Sequence, residues 1–210
     1  MQNIADQVTA IAESVLAVRK DGQRLMIALT GAPGSGKSTL ATELSRRLTL
    51  QKCPNAVVPM DGFHLDNAIL DQRGWLGRKG APETFDAAGA LRLFTAIRRR
   101  EDVYAPSFDR ARDIAIAGAV HIAPNCPVII AEGNYLMFDE DPWRSLAPLW
   151  DITVRVAPPL EELRGRLIQR WLSHNLSRAA ATRRAESNDI PNAKRVIEKA
   201  LTCDFTFEAV

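Results

Sequence analysis

The residues with the clearest chemical meaning form the glycine-rich octet GAPGSGKS at positions 31–38. Its spacing fits the pattern G-x-x-x-x-G-K-[ST], a loop whose backbone N–H groups converge on a phosphate. The octet follows an apolar run at residues 25–30 and precedes a helical pattern at residues 39–48, which is the strand–loop–helix setting that such a loop requires. The sequence therefore predicts that the chain binds a nucleoside triphosphate.

Two side chains of the octet have individual roles in this prediction. Lys37 would reach the β- and γ-phosphates, and the Ser38 hydroxyl would ligate Mg²⁺. The N-terminus of the following helix adds unpaired N–H donors and a partial positive charge. The alternative is a glycine-rich turn that happens to contain a lysine. The residues predicted to contact ATP here are Gly31, Ala32, Pro33, Gly34, Ser35, Gly36, Lys37, Ser38 and Thr39.

Two carboxylates are predicted to face this loop from the ends of neighbouring strands. Asp61 follows the apolar segment 56–60, where it could take a proton from a hydroxyl that attacks the γ-phosphate, or hold Mg²⁺ through water. Glu132 follows the apolar run 128–131, which has the form of a Walker B strand that delivers a carboxylate toward the metal. The alternatives are a turn or helix-capping aspartate and a solvent-exposed glutamate at a strand end.

A charged helical pattern at residues 160–176 places Arg166 and Arg170 four residues apart on one face. On a segment that closes over phosphates, such arginines stabilise the transferring group and exclude water. We therefore predict an arginine-containing helical lid at about residues 160–190. The alternative is a solvated helix face whose arginines pair with neighbouring glutamates.

The elements that position these residues follow a β–α alternation. Apolar residues at three- and four-residue spacing predict an N-terminal helix within residues 1–22, and apolar strands without polar alternation indicate a parallel sheet covered on both faces. We expect an α/β fold with the three layers of a P-loop NTPase, a mostly parallel central sheet and the helical lid, all in a single domain over residues 1–210. Further strands are expected at residues 150–157 and 205–210, and further helices at 87–100 and from about residue 192.

Bulk properties narrow the class of protein. The chain has 210 residues and a net charge of +2, which gives no electrostatic argument for nucleic acid or membrane partners. The three widely spaced cysteines, Cys53, Cys126 and Cys203, favour reduced thiols over disulfides. No segment has the roughly 18 consecutive apolar residues of a membrane span, and the N-terminal segment lacks the apolar core of a signal peptide. We therefore expect a cytoplasmic protein that acts without nucleic acid or a membrane.

Several unusual strings occur along the chain in a fixed order. They are GAPGSGKS, MDGFHLDN, RGWLGRKGAPETFD, PSFDR, AEGNYL and RWLSHNLS with SNDIPNA. Together they resemble the phosphoribulokinase / uridine kinase / pantothenate kinase family of P-loop kinases, and most of all its bacterial branch of proteins provisionally named fructose transport system kinases. The resemblance extends from about residue 25 to the C-terminus. It implies ATP- and Mg²⁺-dependent phosphorylation of a hydroxyl group on a small metabolite.

The resemblance also implies roles by motif match. Asp61 would be the general base and Glu132 the carboxylate beside Mg²⁺, with Arg166 and Arg170 in the lid. The PSFDR segment resembles the one that lines the family's acceptor pocket, although this chain has phenylalanine where nucleoside kinases often have tyrosine. Asn192 lies in the stretch that resembles the family's segment near the adenine. The implied substrate residues are His64, Arg78, Phe108, Asp109, Arg110 and Tyr135, with Lys79 as a further candidate.

The leading hypothesis is a small-molecule kinase whose acceptor is a sugar such as fructose. The nearest alternative keeps the enzyme class and has pantothenate or a nucleoside as the acceptor. An ATP-hydrolysing regulatory switch is an alternative of another class, although a switch has no need of an acceptor-facing carboxylate. A family member that binds ATP without catalysis fits less well, since Lys37, Ser38, Asp61 and Glu132 are all present. The first helix could pack on the core or against a second subunit, so a homodimer stays open.

Overall fold

The computed structural model of the protein describes residues 3–20 and 22–208. Its strands are β1 (Leu25–Gly31), β2 (Asn55–Pro59), β3 (Val103–Asp109), β4 (Ile114–Ile122), β5 (Val128–Gly133), β6 (Ile152–Val156) and β7 (Phe205–Phe207). Five of them form one sheet in the order β2-β5-β1-β6-β7, and every neighbouring pair in it runs parallel. The remaining two, β3 and β4, form a separate antiparallel hairpin.

Helices cover both faces of the parallel sheet. They are α1 (Ile4–Val18), α2 (Lys37–Leu50), α3 (Asn67–Gln72), α4 (Ala87–Arg98), α5 (Leu160–Ser173), α6 (Arg178–Arg184) and α7 (Ile190–Glu198). Alternate residues of β1 point to opposite layers: Ile27 and Leu29 pack with α1 and α2, whereas Met26 and Ala28 pack with α4. The three-layer α/β fold predicted from the uninterrupted apolar strands is therefore confirmed.

The element bounds agree with the sequence predictions in most places. The first helix spans Ile4–Val18, and its N-cap residue Asn3 accepts a hydrogen bond from the Asp6 amide at 3.0 Å. Residues 1, 2 and 21 of the predicted N-terminal helix, and residues 209 and 210 of the predicted last strand, lie outside the described residues. No helix within residues 3–20 and 22–208 is both long and apolar enough to cross a membrane.

The structure differs from the sequence prediction in two places between α2 and β5. The second strand ends at Pro59, so Asp61 does not follow it directly but lies in a 3-10 turn, Met60–Phe63. The hairpin of β3 and β4 was not predicted at all. It pairs Val103 with Ile122 and Asp109 with Ile114, with a shift of register between Ala105 and Ser107. This hairpin packs against the 3-10 turn, and it thereby brings its tip to the end of the sheet where β1 and β5 finish.

Candidate active site

A cavity of about 1030 Å³ lies at the carboxyl ends of the parallel strands. Its walls come from the glycine-rich loop, the 3-10 turn after β2, the hairpin tip, the segment after α3, and the helices α5 to α7. The lining residues are Pro33, Gly34, Gly36, Lys37, Ser38, Thr39, Asp61, His64, Asn67, Leu76, Gly77, Lys79, Gly80, Phe85, Phe108, Arg110, Asp113, Asn134, Arg170, Trp171, His174, Arg184, Asp189 and Asn192. The cavity therefore joins the phosphate-binding loop to most of the residues predicted for the acceptor.

The loop after β1 has the backbone of an anion cradle. Gly36 caps α2 with a φ of 100°, and within residues 3–20 and 22–208 no side chain caps the N–H groups of the first helical turn. A Cβ atom at Gly31 would lie 2.4 Å from the Val156 carbonyl oxygen, so only glycine fits where the loop leaves the sheet. The Ser35 hydroxyl is buried and has no hydrogen-bond partner in the described part of the chain. These open donors suit an anion at the N-terminus of α2.

Lys37, Ser38 and Glu132 meet beside this cradle. The Ser38 hydroxyl donates a hydrogen bond to Glu132 Oε2 at 2.9 Å, and Glu132 is buried at the end of β5. Burial raises the pKa of Glu132, while the nearby charge of Lys37 acts in the opposite direction. Burial likewise lowers the pKa of Lys37, and the charges of Glu132 and Asp61 oppose that shift. The predicted Walker B carboxylate and the loop serine are therefore in direct contact.

Asp61 faces the same cavity and forms an ion pair with Arg110. Arg110 Nη2 donates to Asp61 Oδ2 at 2.7 Å, and the Arg110 side chain is 53% exposed against 20% for Asp61. Two glycines allow the chain segments around this ion pair to approach each other closely. A Cβ atom at Gly62 would lie 2.6 Å from the Pro106 carbonyl oxygen, and one at Gly133 would lie 2.3 Å from a side-chain carbon of the neighbouring turn. The hairpin, the 3-10 turn and the end of β5 are thus in close contact.

His64 lies between two aromatic rings in the wall of the cavity. Its ring centroid is 4.0 Å from that of Phe85 and 4.6 Å from that of Phe108. His64 Nδ1 lies 2.8 Å from the Asp61 carbonyl oxygen, and because a carbonyl only accepts, Nδ1 carries the hydrogen. Burial lowers the pKa of His64, which favours the neutral ring. Nε2 is then a hydrogen-bond acceptor.

Lys79 is nearly buried in the same wall, where its ammonium group contacts an amide, a carboxylate and an aromatic ring. Its Nζ donates to Asn67 Oδ1 at 2.7 Å and lies 2.9 Å from Asp113 Oδ2, above the Phe108 ring at 5.1 Å. Sequence reasoning missed Asn67 and Asp113. Asn67 lies in the unusual string MDGFHLDN, which could have identified it as a site residue. The contact between Lys79 and Asp113 joins segments 34 residues apart, and no local sequence pattern predicts it.

The two lid arginines have different surroundings. Arg170 lines the cavity, and burial, followed by the charge of Arg110, lowers its pKa. Arg166 is not among the lining residues. Its Nη1 donates to the carbonyl oxygens of Gly34 and Ser35 at 3.3 and 3.1 Å, and it pairs with Glu162. Arg166 therefore contacts the backbone of the phosphate-binding loop outside the cavity.

The far wall of the cavity comes from α5 to α7. Asn192 lines the cavity and donates to Asn188 Oδ1 at 3.3 Å. Asn188 in turn donates to the Lys79 carbonyl oxygen at 2.8 Å, which ties this wall to the acceptor side. Trp171 donates from its indole nitrogen to Asp189 at 2.5 Å. Trp171 and Asp189 were also missed, because helical spacing alone did not separate them from core or surface residues.

The structure does not bring three of the predicted substrate residues to the cavity lining. Arg78 pairs with Glu83 at an exposed site, and Asp109 turns toward Arg112 at 2.7 Å. Tyr135 is fully buried in the core and donates its hydroxyl hydrogen to the Gly80 carbonyl oxygen at 2.6 Å. Tyr135 therefore holds Gly80, a residue of the wall, in place.

The chain is similar to several known proteins. A crystal structure of a Silicibacter sp. TM1040 protein, provisionally named a fructose transport system kinase, matches with a TM-score of 0.90 and 50% identity over 95% of this chain and 98% of that one. Protein YggC of Escherichia coli is 35% identical over 83% of this chain and 73% of its own length. A Schizosaccharomyces pombe protein provisionally named uridine kinase C227.14 is 34% identical over 90% and 85%. No protein-family model matches the chain.

The chain belongs to the P-loop kinases related to uridine kinase and pantothenate kinase. It is accordingly a small-molecule kinase that uses ATP. This confirms the family and the enzyme class predicted from the ordered strings.

Proposed function

We propose that the enzyme transfers the γ-phosphoryl group of ATP to a hydroxyl group of a small polyhydroxylated metabolite, with Asp61 as the general base. The observation that carries this proposal is the presence of Lys37, Ser38 and Asp61 on the wall of one cavity, with Glu132 bonded to Ser38. The name of the Silicibacter protein makes fructose the first acceptor to test. Pantothenate and nucleosides are the alternatives, because relatives named pantothenate kinase and uridine kinase also match.

The chemistry of transfer divides between the two sides of the cavity. Lys37 and the open N–H groups at the start of α2 bind the phosphates and stabilise the charge that develops on the γ-phosphoryl oxygens. Asp61 orients the acceptor hydroxyl and receives its proton as the acceptor oxygen bonds to the γ-phosphorus and the bond to the leaving ADP oxygen breaks. Arg170 approaches from α5 and adds positive charge on the phosphate side. Closure of α5 to α7 over bound ATP would exclude the water that otherwise competes as acceptor.

The residues beside the cradle fit a Mg²⁺ ion. Ser38 and Glu132 offer oxygen atoms, the ligand type that Mg²⁺ prefers, and the buried carboxylate has no cation in hydrogen-bond contact in the described residues. When bound with ATP, Mg²⁺ would neutralise charge on the β- and γ-phosphates. Ser38 would hold it directly, and Glu132 and Asp61 would do so directly or through water.

The test is acceptor-dependent ADP formation by the purified chain. Sugars, pantothenate and nucleosides are supplied singly with ATP and Mg²⁺, and ADP is followed by a coupled assay. We expect a metabolite to raise ADP formation with equal amounts of phosphorylated product. An ATPase rate that ignores every metabolite and rises only with a macromolecule would support the regulatory switch in place of the kinase.

A further inference from the structure

A second pocket, of about 360 Å³, lies at the opposite end of the parallel sheet from the candidate active site. Its walls come from the end of α1, the start of β1, the end of α4 and the residue before β6. We call it the amino-end pocket, because the parallel strands begin there. Four arginines and one carboxylate line it within the described part of the chain, namely Arg19, Arg24, Arg98, Arg100 and Asp151.

Two of these arginines are held in place by backbone carbonyl oxygens. Arg24 is 6% exposed, and its Nε, Nη1 and Nη2 donate to carbonyl oxygens at 2.9, 2.6 and 2.6 Å. Arg100 donates from Nε and Nη1 to the carbonyl oxygens of Pro124 and Gly22, and its Nη2 makes no hydrogen bond in the described residues. Carbonyl oxygens orient a guanidinium group, but they carry no net charge that would neutralise it. The contacts therefore fix two cations in the wall of the pocket.

The carboxylate of the described lining is already paired. Asp151 accepts hydrogen bonds from both Nη atoms of Arg98, with the contact from Nη2 at 2.8 Å, and its Oδ2 also accepts from the Met26 amide at 2.8 Å. Arg19 contacts no carboxylate among the described residues, and its Nη1 lies 3.4 Å from the Cys53 sulfur. Asp151 therefore neutralises Arg98 and leaves the other three arginines unmatched.

The balance of charge in the amino-end pocket is positive. Arg19, Arg24 and Arg100 retain their charges, whereas the C-terminal ends of α1 and α4 carry about half a negative charge each. The neighbouring Lys20 and Asp21 have opposite charges and leave this balance unchanged. About two positive charges therefore remain. Burial lowers the pKa of Arg24, and the like charge of Arg100 acts in the same direction, so the two guanidinium groups repel each other.

We propose that the amino-end pocket binds a small anion that carries a phosphate group, either free phosphate or a phosphate monoester. A phosphate group has about two negative charges at neutral pH, which matches the excess of positive charge. Its oxygen atoms accept the paired N–H groups of guanidinium, and the free Nη2 of Arg100 supplies such donors. The volume of the pocket suits a small molecule. This site is separate from the proposed phosphoryl transfer.

Equilibrium dialysis of the Lys37→Ala chain against radiolabelled inorganic phosphate tests the proposal. This substitution weakens binding at the glycine-rich loop, which also takes phosphate. At constant ionic strength we expect phosphate to bind and unlabelled glycerol 3-phosphate to displace it. Displacement at a lower concentration than unlabelled phosphate requires assigns the pocket to a monoester, and displacement only at a higher concentration assigns it to free phosphate. A Lys37→Ala chain that binds no phosphate would overturn the proposal.

Arg100→Gln, added to the Lys37→Ala chain, locates the bound phosphate. We expect the Kd of phosphate to rise by about 10-fold or more, the size of one hydrogen bond to a charged group. Arg19→Gln should raise it as well, and it decides the matter if the melting temperature shows that Arg100→Gln does not fold. Arg46→Gln, an exposed arginine on α2 paired with Glu43, should leave it unchanged. An unchanged Kd in the folded Arg100→Gln and Arg19→Gln chains would contradict the assignment, and neither outcome bears on the proposed kinase.

Discussion

The two sides of the cavity are built in different ways. On the nucleotide side, Glu132 lies in β5, and Lys37 begins α2 directly after the glycine-rich loop that follows β1. The residues of β1 and β5 are all buried. On the acceptor side, Asp61, Lys79 and Arg110 lie on a 3-10 turn, a loop and a hairpin tip, and they are held by side-chain contacts between segments distant in sequence. We therefore expect the sheet to position the residues of phosphate transfer and the loops to determine the choice of acceptor.

This difference explains how relatives with several named substrates share one fold. Relatives of the chain include proteins named pantothenate kinase and uridine kinase. A change in the hairpin or the loop after α3 alters the acceptor wall without disturbing the buried strands. Substitutions on the two sides should accordingly separate effects on ATP from effects on the acceptor.

Among the substitutions that compare the two sides, the largest effect is expected from Lys37→Ala. Loss of the ammonium group removes charge stabilisation at the phosphates, and we expect kcat to fall by about 10³-fold. The measurement is steady-state ADP formation, with the melting temperature as a check on folding. Lys20→Ala, a lysine outside the cavity lining, serves as the control and should retain normal turnover.

Gly62→Ala should affect only the acceptor side. The added Cβ atom would lie 2.6 Å from the Pro106 carbonyl oxygen, so the hairpin must move away from Asp61. We expect the acceptor kcat/KM to fall by about 10- to 100-fold through misplacement, with the Kd of an ATP analogue unchanged. Gly165→Ala on α5, where a Cβ atom meets nothing within 4 Å, is the matched control. Equal loss of ATP affinity would contradict the separation of the two sides.

Glu132→Gln should raise the melting temperature of the protein and lower its turnover. Because burial raises the pKa of Glu132 above 4.5, the folded chain binds this proton more tightly than the unfolded chain, and stability falls as the pH rises from about 4.5 through the folded pKa. Removal of the charge should raise the melting temperature of the ATP-free protein at pH 8 by about 2–4 °C, the shift that 1 kcal/mol gives in a domain of this size. Turnover should fall. A lower melting temperature at pH 8 would contradict the buried-charge interpretation.

The smallest expected effect is on the pH dependence of folding. Burial lowers the pKa of His64 below 6.5, so the unfolded chain binds the proton more tightly and the free energy of unfolding decreases as the pH falls below about 6.5. His64→Gln should remove this part of the slope in urea titrations at pH 7, 6 and 5, at about 1.4 kcal/mol for each unit between the two pKa values. His121→Gln, an exposed histidine on β4, should keep it.

The features that the sequence could predict lie mainly in the buried strands and the glycine-rich loop, and those that it could not predict lie mainly on the acceptor side. The N-terminal helix, the parallel strands and the glycine-rich loop were all predicted because apolar periodicity and motif spacing are local signals. The β3–β4 hairpin was missed since Pro106 and many small alanines weaken its pattern. Alternation of Ile114, Ile116, Val120 and Ile122 was the signal that could have revealed β4.

Pairing across long stretches of sequence had no such signal. Asp61 and Arg110 were both nominated for the site, but nothing in their local sequence indicated that they bond to each other over a separation of 49 residues. Arg166 and Arg170 likewise share a helix face by spacing, yet only Arg170 lines the cavity. Tertiary packing decides these contacts.

The central claim is that Asp61 accepts the proton of the acceptor hydroxyl. Asp61→Asn keeps the size of the side chain and removes its basicity, and it is measured by kcat with a phosphorylatable acceptor together with the Kd of an ATP analogue. We predict a fall in kcat of about 10²- to 10⁴-fold, the usual contribution of a general base, with the nucleotide Kd unchanged. Turnover close to that of the normal enzyme would contradict the claim.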